Sequence, residues 1–252
     1  MPEEVTRGGW GGRAAAYDDA AHVARPDALA WDLRALGSVA DLCVFDLGCG
    51  TGVFSEALAN DGARVHCFDG SREMLDRCRV RMESRWRGSQ MDLSREVPTG
   101  GNLAVARYVL RHMADPARAI ALWSTSAPRL AVIEGVPPIE DTLHPATDLY
   151  RAAMDAKHGA PKAAIHGSHI VGWMLRAGAA DVTIWQRSFP GNSIREWCES
   201  GGCDRRQTET VLDFHRNAGD AAKRAYQMEI TADDVLVAYR RVVVVGDFTG
   251  AR

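Results

Sequence analysis

The stretch VFDLGCGTGV at positions 44–53 constrains this chain more than any other. An apolar run leads into an aspartate, and glycines follow at 48, 50 and 52 before a helical pattern begins. Glycine weakens regular structure by roughly 0.5–1 kcal/mol per residue, so three within five positions mark a sharp loop that approaches something closely. A strand entering such a loop and leaving as a helix aims backbone N–H groups at a ligand. The dinucleotide fingerprint G-x-G-x-x-G fails here, because Val53 stands where its third glycine belongs. Asp46, two residues ahead of Gly48, suits a cationic head group and opposes a pyrophosphate.

From about residue 40 to 190, β-rich runs alternate with helical patterns. LCVFDLG, ARVHCFDG, NLAVARYVL, PRLAVIEG and DVTIWQR read as strands. VFSEALANDG, SREMLDRCRVRMESR, DPARAIALWSTSA and HIVGWMLRAGA read as helices. Such alternation predicts an α/β sandwich, Rossmann-like, with a mostly parallel sheet and helices on both faces. A valine-rich run, VLVAYRRVVVVGDF, suits a last, buried strand. We read one domain over residues 1–252. Residues 1–38, with two short helices, form a lid; 40–134 form the ligand-binding half; 135–165 and 190–233 are helical insertions.

Four segments carry a family resemblance. DLGCGTG resembles the first motif of class I S-adenosylmethionine (SAM) dependent methyltransferases. HCFDGSREMLDRCR is similar to that family's second motif, with Asp69 closing the strand, QMDL at 90–93 to its third, and LAVARYVLRHMADPARA to its fourth. They stand in order over residues 40–120, in a pattern similar to the ubiquinone and menaquinone biosynthesis subgroup. The resemblance implies a seven-stranded sheet, an N-terminal helical lid, SAM as cofactor, and in-line methyl transfer to a small organic acceptor, aromatic or a secondary metabolite. It implies that Gly48, Cys49, Gly50 and Gly52 wrap the methionine part and ribose of SAM. Asp46 would serve the α-ammonium, directly or through water, and Asp69 the ribose hydroxyls. Asp92 and the Leu93 backbone would meet the adenine edge, with Gly70 and Met74 against its face. Arg107 would lie near the SAM carboxylate.

Methyl transfer from a sulfonium proceeds largely through alignment and desolvation, with a base needed only for a less acidic acceptor. Candidates for that work are Tyr17, Tyr108, Arg111, His112, Glu134, His166 and His169, of which His112, His166, His169 and the lid residue Tyr17 head the set. Trp173, Trp185, Phe189 and Trp197 offer faces to a planar acceptor, and residues 190–233 fit either a cap over it or a contact with a second subunit. A homodimer therefore stays open. A net charge of -3 with no basic run argues against nucleic acid, and no apolar stretch is long enough to span a membrane. Six cysteines without a CxxC pair predict reduced thiols, a cytoplasmic protein and no metal. Three alternatives stay open: a SAM enzyme of the same fold with different chemistry, a non-catalytic SAM-binding partner, and a tRNA methyltransferase.

Overall fold

A computed structural model describes residues 21–159 and 164–249. Its strands are β1 (Cys43–Leu47), β2 (Arg64–Asp69), β3 (Gly88–Gln90), β4 (Leu103–Arg107), β5 (Arg129–Val136), β6 (Asp181–Ser193), β7 (Glu229–Ile230) and β8 (Val235–Asp247). They form one sheet in the order β3-β2-β1-β4-β5-β8-β6, with the two-residue β7 added to β8. The first five strands pair in parallel, while β8 runs antiparallel between β5 and β6. The carboxyl ends of β1 to β6 therefore share one edge, where an open α/β sheet binds ligands.

Alternate residues face opposite sides of the sheet, and the sequence fills both. Val44, Leu103, Ile133 and Val243 pack beneath α2 (Pro26–Leu36), α3 (Val53–Asn60) and α4 (Arg72–Met82), joined by Leu36, Leu58 and Met82. Their strand neighbours Phe45, Ala104, Val132 and Val244 point the other way. There they meet α5 (Pro116–Trp123) and α7 (Gly167–Arg176) through Ile120, Trp123 and Ile170. Helix starts are set locally. Ser71 caps α4 by accepting the Met74 N–H at 3.3 Å, and Asp115 caps α5 by accepting the Arg118 N–H at 3.0 Å, with Pro116 in the first turn. Before α2 lies the short α1 (Ala21–Ala24).

The two helical insertions prove to be one unit. Residues 190–233 contain α8 (Ile194–Ser200), α9 (Arg205–Arg216) and α10 (Asp220–Ala225), and the other insertion contributes α6 (Pro145–His158). Ala146, Leu149 and Ala153 of α6 share a third core with Ile194, Cys198, Val211, Leu212, Ala222 and Tyr226. The apolar faces expected to need an acceptor or a second subunit are thus buried against each other within the chain. The sequence also pairs Phe214 with Val211 and Leu212, yet Phe214 is 39% exposed and His215 takes the inner position. On α9 the inward face is Thr208, Val211, Leu212 and His215, the i, i+3, i+4, i+7 stripe of a helix.

Candidate functional site

The glycine loop leaves β1 at the carboxyl edge. Gly48, Gly50 and Gly52 have φ of 77°, 55° and 86°, the left-handed region that side chains resist. A Cβ at Gly48 would overlap the Val109 side chain, and one at Gly52 would lie 2.6 Å from Cys78 Sγ. Those two glycines therefore let the loop pack down onto β4's exit and α4. Gly48 and Cys49 both donate to the Phe68 carbonyl, at 2.7 and 3.0 Å, which fastens the loop to the end of β2.

Asp69 does more than its strand-end position announces. Its Oδ2 accepts the Gly50 N–H at 2.9 Å and its Oδ1 accepts the Ser71 N–H at 2.8 Å. Burial raises its pKa, against the lowering pull of these backbone donors. A carboxylate offers about four acceptor positions, so two remain for a ligand diol. Beside it, Gly70 is exposed and its carbonyl accepts the Gln90 side-chain amide at 2.9 Å. Asp92 is exposed too, with Oδ1 turned onto the Ser94 N–H and hydroxyl at 3.1 and 2.6 Å; those bonds hold its pKa down. Leu93 is buried, its carbonyl accepting the Trp123 indole N–H at 2.9 Å. Met74 departs from the expectation. At 2% exposure its side chain is covered, because Ser71 caps the first turn of α4 and points that residue inward.

Asp46 lies beneath the loop, 1% exposed, accepting the Ser55 hydroxyl at 2.6 Å. Burial, with the Cys67 sulfur adding to it, pushes its carboxyl up to about 7. Arg107 is likewise less free than a strand-end arginine suggests. Its Nε donates to Asp32 of α2 at 3.0 Å and its Nη2 to the Val23 carbonyl at 2.8 Å. Arg241 of β8 donates to the same Asp32 oxygen at 2.9 Å.

Tyr108, next after β4, has φ of 62°, a left-handed strain for a tyrosine. The guanidiniums of Arg107, Arg111 and Arg241 lie 4.8, 5.2 and 5.2 Å from its ring. Arg111 grips the buried Glu134 of β5 through Nε at 2.8 Å and Nη2 at 2.5 Å. Tyr108, Arg111 and Glu134 thus come together at the ends of β4 and β5.

Next to this cluster opens a small pocket, with an internal volume of about 60 Å³, between the sheet edge and the helical unit. Tyr150, Trp197, His215, Tyr226 and Tyr239 give its aromatic lining. Its floor touches β5, where Tyr150 donates to the Gly135 carbonyl at 3.1 Å and a Cβ at Gly135 would overlap the Tyr239 hydroxyl. His215 Nδ1 lies 2.8 Å from the Val211 carbonyl, so a neutral ring carries its proton there and keeps Nε2 as an acceptor. Burial lowers the His215 pKa, against the pull of that carbonyl, while burial raises those of Tyr150 and Tyr226. The imidazole stays a free base where the phenols stay protonated.

The expected histidines are placed elsewhere. His112, in the short 3-10 turn after β4, sets its ring 5.9 Å from that of His158. His166 is 1% exposed, neither ring nitrogen bonded among the described residues, and its N–H donates to His169 Nδ1 at 3.3 Å. Neither belongs to the pocket lining, nor does His169. Of the four aromatics, Trp197 lines the pocket, Phe189 packs on Trp31 with ring centroids 5.8 Å apart, and Trp185 is part-exposed on the edge strand β6. Tyr17 lies outside the described residues.

Comparison with known proteins matches this geometry to a family. A model described as "Methyltransferase domain" matches residues 44–126, from β1 to the end of α5. A ubiquinone biosynthesis O-methyltransferase of Leptothrix cholodnii is 26% identical over 195 residues, covering 74% of each chain. That of Bordetella pertussis is 31% identical over 108 residues, 39% of this chain and 44% of the relative. Among solved structures, the YcgJ protein of Bacillus subtilis superimposes with a TM-score of 0.77 at 14% identity, covering 88% of this chain and 97% of the other. Magnesium protoporphyrin IX methyltransferase of Synechocystis, with SAH bound, reaches 0.52 at 18% identity over 94% of this chain and 84% of the other. Among the described residues, no helix is long and apolar enough to cross a membrane. Residues 44–126 are thus a methyltransferase domain, and the matches together support a class I S-adenosylmethionine-dependent methyltransferase.

Proposed function

We propose that the acceptor is a small aromatic hydroxyl compound held in the pocket between the sheet edge and the helical unit. The observation that carries this reading is the pocket's lining: four aromatic rings and one neutral imidazole beside the ends of β4 and β5. Planar molecules suit such a wall, and a neutral imidazole whose Nδ1 is held by the Val211 carbonyl has Nε2 available to accept a proton from a phenol. The relatives named as ubiquinone biosynthesis O-methyltransferases support the same class of acceptor.

SAM supplies a methyl group already activated on a sulfonium. The residues around it have separate duties in this reading. The Gly48–Gly52 loop brings its backbone close, Asp69 accepts from the ribose hydroxyls, and Gly70 with Asp92 and the Leu93 backbone border the adenine. Asp46 balances the cationic amino-acid end, and Arg107 faces its carboxylate with the Nη1 donors that Asp32 and Val23 leave over. His215 Nε2 takes the acceptor proton as the oxygen attacks. Tyr150 and Tyr239, kept in place by Gly135, align the ring. A chain with six free cysteines fits a reducing compartment, and we place it in the cytoplasm.

The test is a panel of phenolic, amine and nucleic-acid acceptors incubated with SAM, scored by SAH release and by a product heavier by one methyl. Turnover of phenols that falls about 10²–10⁴-fold in His215→Ala, with SAH affinity retained, supports the reading. Turnover confined to tRNA, or phenol turnover untouched by that substitution, overturns it.

A further inference from the structure

Three cysteines scattered in sequence meet behind the glycine loop. Cys49 comes from the loop itself, Cys67 from β2 and Cys78 from α4, and their sulfurs all lie within 4.8 Å of one another. All three are buried, at 8%, 0% and 0% exposure. A cysteine in an apolar core serves as a small hydrophobe. This trio lies in the apolar core beneath α3 and α4 but has one polar neighbour: Cys67 Sγ lies 3.3 Å from the Ser55 hydroxyl, which in turn bonds to Asp46 at 2.6 Å.

The spacing suits an ion. Metal–sulfur bonds of about 2.3 Å place three sulfurs about 4 Å apart around a central cation, inside the span seen here. Thiolates select soft, thiophilic metals, and charge narrows the choice further. Three thiolates around a divalent ion leave one net negative charge, against two around a monovalent one. With Asp46 buried alongside, the smaller excess is the better tolerated. Ser55, already oriented by Asp46, stands at the margin as the oxygen donor a fourth position needs.

We propose that Cys49, Cys67 and Cys78 form a three-thiolate site for a thiophilic divalent cation of the zinc group. The three S–H protons leave as three metal–sulfur bonds form, with no change of oxidation state. The ion ties the glycine loop to β2 and α4, on the side of the loop facing away from the sheet edge. The proposal does not rest on the acceptor reading.

The experiment titrates reduced, chelator-treated full-length protein with Cd(II) or Zn(II) alone. A Cys198→Ala/Cys203→Ala double variant removes the other close thiols, which belong to the helical unit. The expected result is one equivalent of Cd(II) bound by wild type and by the double variant, with a ¹¹³Cd resonance typical of three sulfur ligands. Cys78→Ala abolishes that resonance, and if this variant does not fold, the double variant decides by itself. No stoichiometric binding, or a two-sulfur resonance that vanishes in the double variant, overturns the proposal.

Discussion

Asp69→Asn tests the glycine loop at its most economical point. The substitution keeps the shape of the side chain and replaces one acceptor oxygen with an NH₂ donor. Both oxygens are in use, Oδ2 by the Gly50 N–H at 2.9 Å and Oδ1 by the Ser71 N–H at 2.8 Å. Whichever way the amide turns, one backbone N–H then faces another donor. Hydrogen bonds to a charged group contribute about 1.5–3 kcal/mol each, so the loss should lower stability by about that much for one bond. SAM affinity falls as well, since the NH₂ group cannot accept from the ribose on its side. The expected affinity loss is about 10- to 100-fold, or about 1.4–2.8 kcal/mol. Calorimetry with SAH and thermal melts with and without SAH read the two effects separately. An Asn variant that melts lower but binds SAH as wild type does would assign Asp69 to the loop alone. Unchanged melting and unchanged binding together would refute the reasoning entirely.

Four further outcomes are expected. Gly52→Ala adds a Cβ 2.6 Å from Cys78 Sγ at φ of 86°, and should cost about 2–4 kcal/mol in denaturant melts, of which Cys78→Ala in the same chain recovers the steric share. Glu134→Gln leaves the Arg111 guanidinium uncompensated at a buried site and should destabilise by about 3–5 kcal/mol, measured by urea unfolding. Asp46, with a folded pKa raised from 3.8 to about 7, favours the fold in its neutral form, so its contribution is full below about pH 4 and fades as pH rises through 7. Asp46→Asn should accordingly gain on wild type in melts at pH 8 relative to pH 5, by up to about 4 kcal/mol, while binding SAM more weakly. His215→Gln should remove the acidic limb of the pH–rate profile, a limb displaced below the usual histidine range because burial lowers that pKa.

What the sequence disclosed was local, and what it withheld was assembled at a distance. Three left-handed glycines behind an apolar run write their own conformation, so the loop and the Asp69 strand end were legible residue by residue. The alternation of Val44 with Phe45 and of Val243 with Val244 likewise declared a sheet covered on both faces. The partners of Arg107 were not legible, because Asp32 lies 75 positions away and only the packing of α2 brings it near. The cysteine trio has no motif spacing; the pairing of β1 with β2 and the packing of α4 beneath the glycine loop bring it together. His215 did leave a signal in its i, i+3, i+4, i+7 relation to Thr208, Val211 and Leu212, but a histidine on a charged helix resembles a solvated one.

Asp32 shows how these distant pieces act together. One of its oxygens accepts from Arg107 at the end of β4 and from Arg241 in β8, so a single buried carboxylate serves two buried guanidiniums. Adding the Arg111–Glu134 pair, three guanidiniums gather around the Tyr108 ring, with Asp32 and Glu134 as their carboxylate partners among the described residues. This arrangement depends on the N-terminal side of the chain, since Asp32 sits on α2 and the Val23 carbonyl fixes the other arm of Arg107. Docking of α1 and α2 therefore sets the direction of Arg107, while Arg111, pinned by Glu134, packs on Tyr108 in its strained turn. In this way the segment before the glycine loop shapes the electrostatics at the ends of β4 and β5, beside the aromatic pocket.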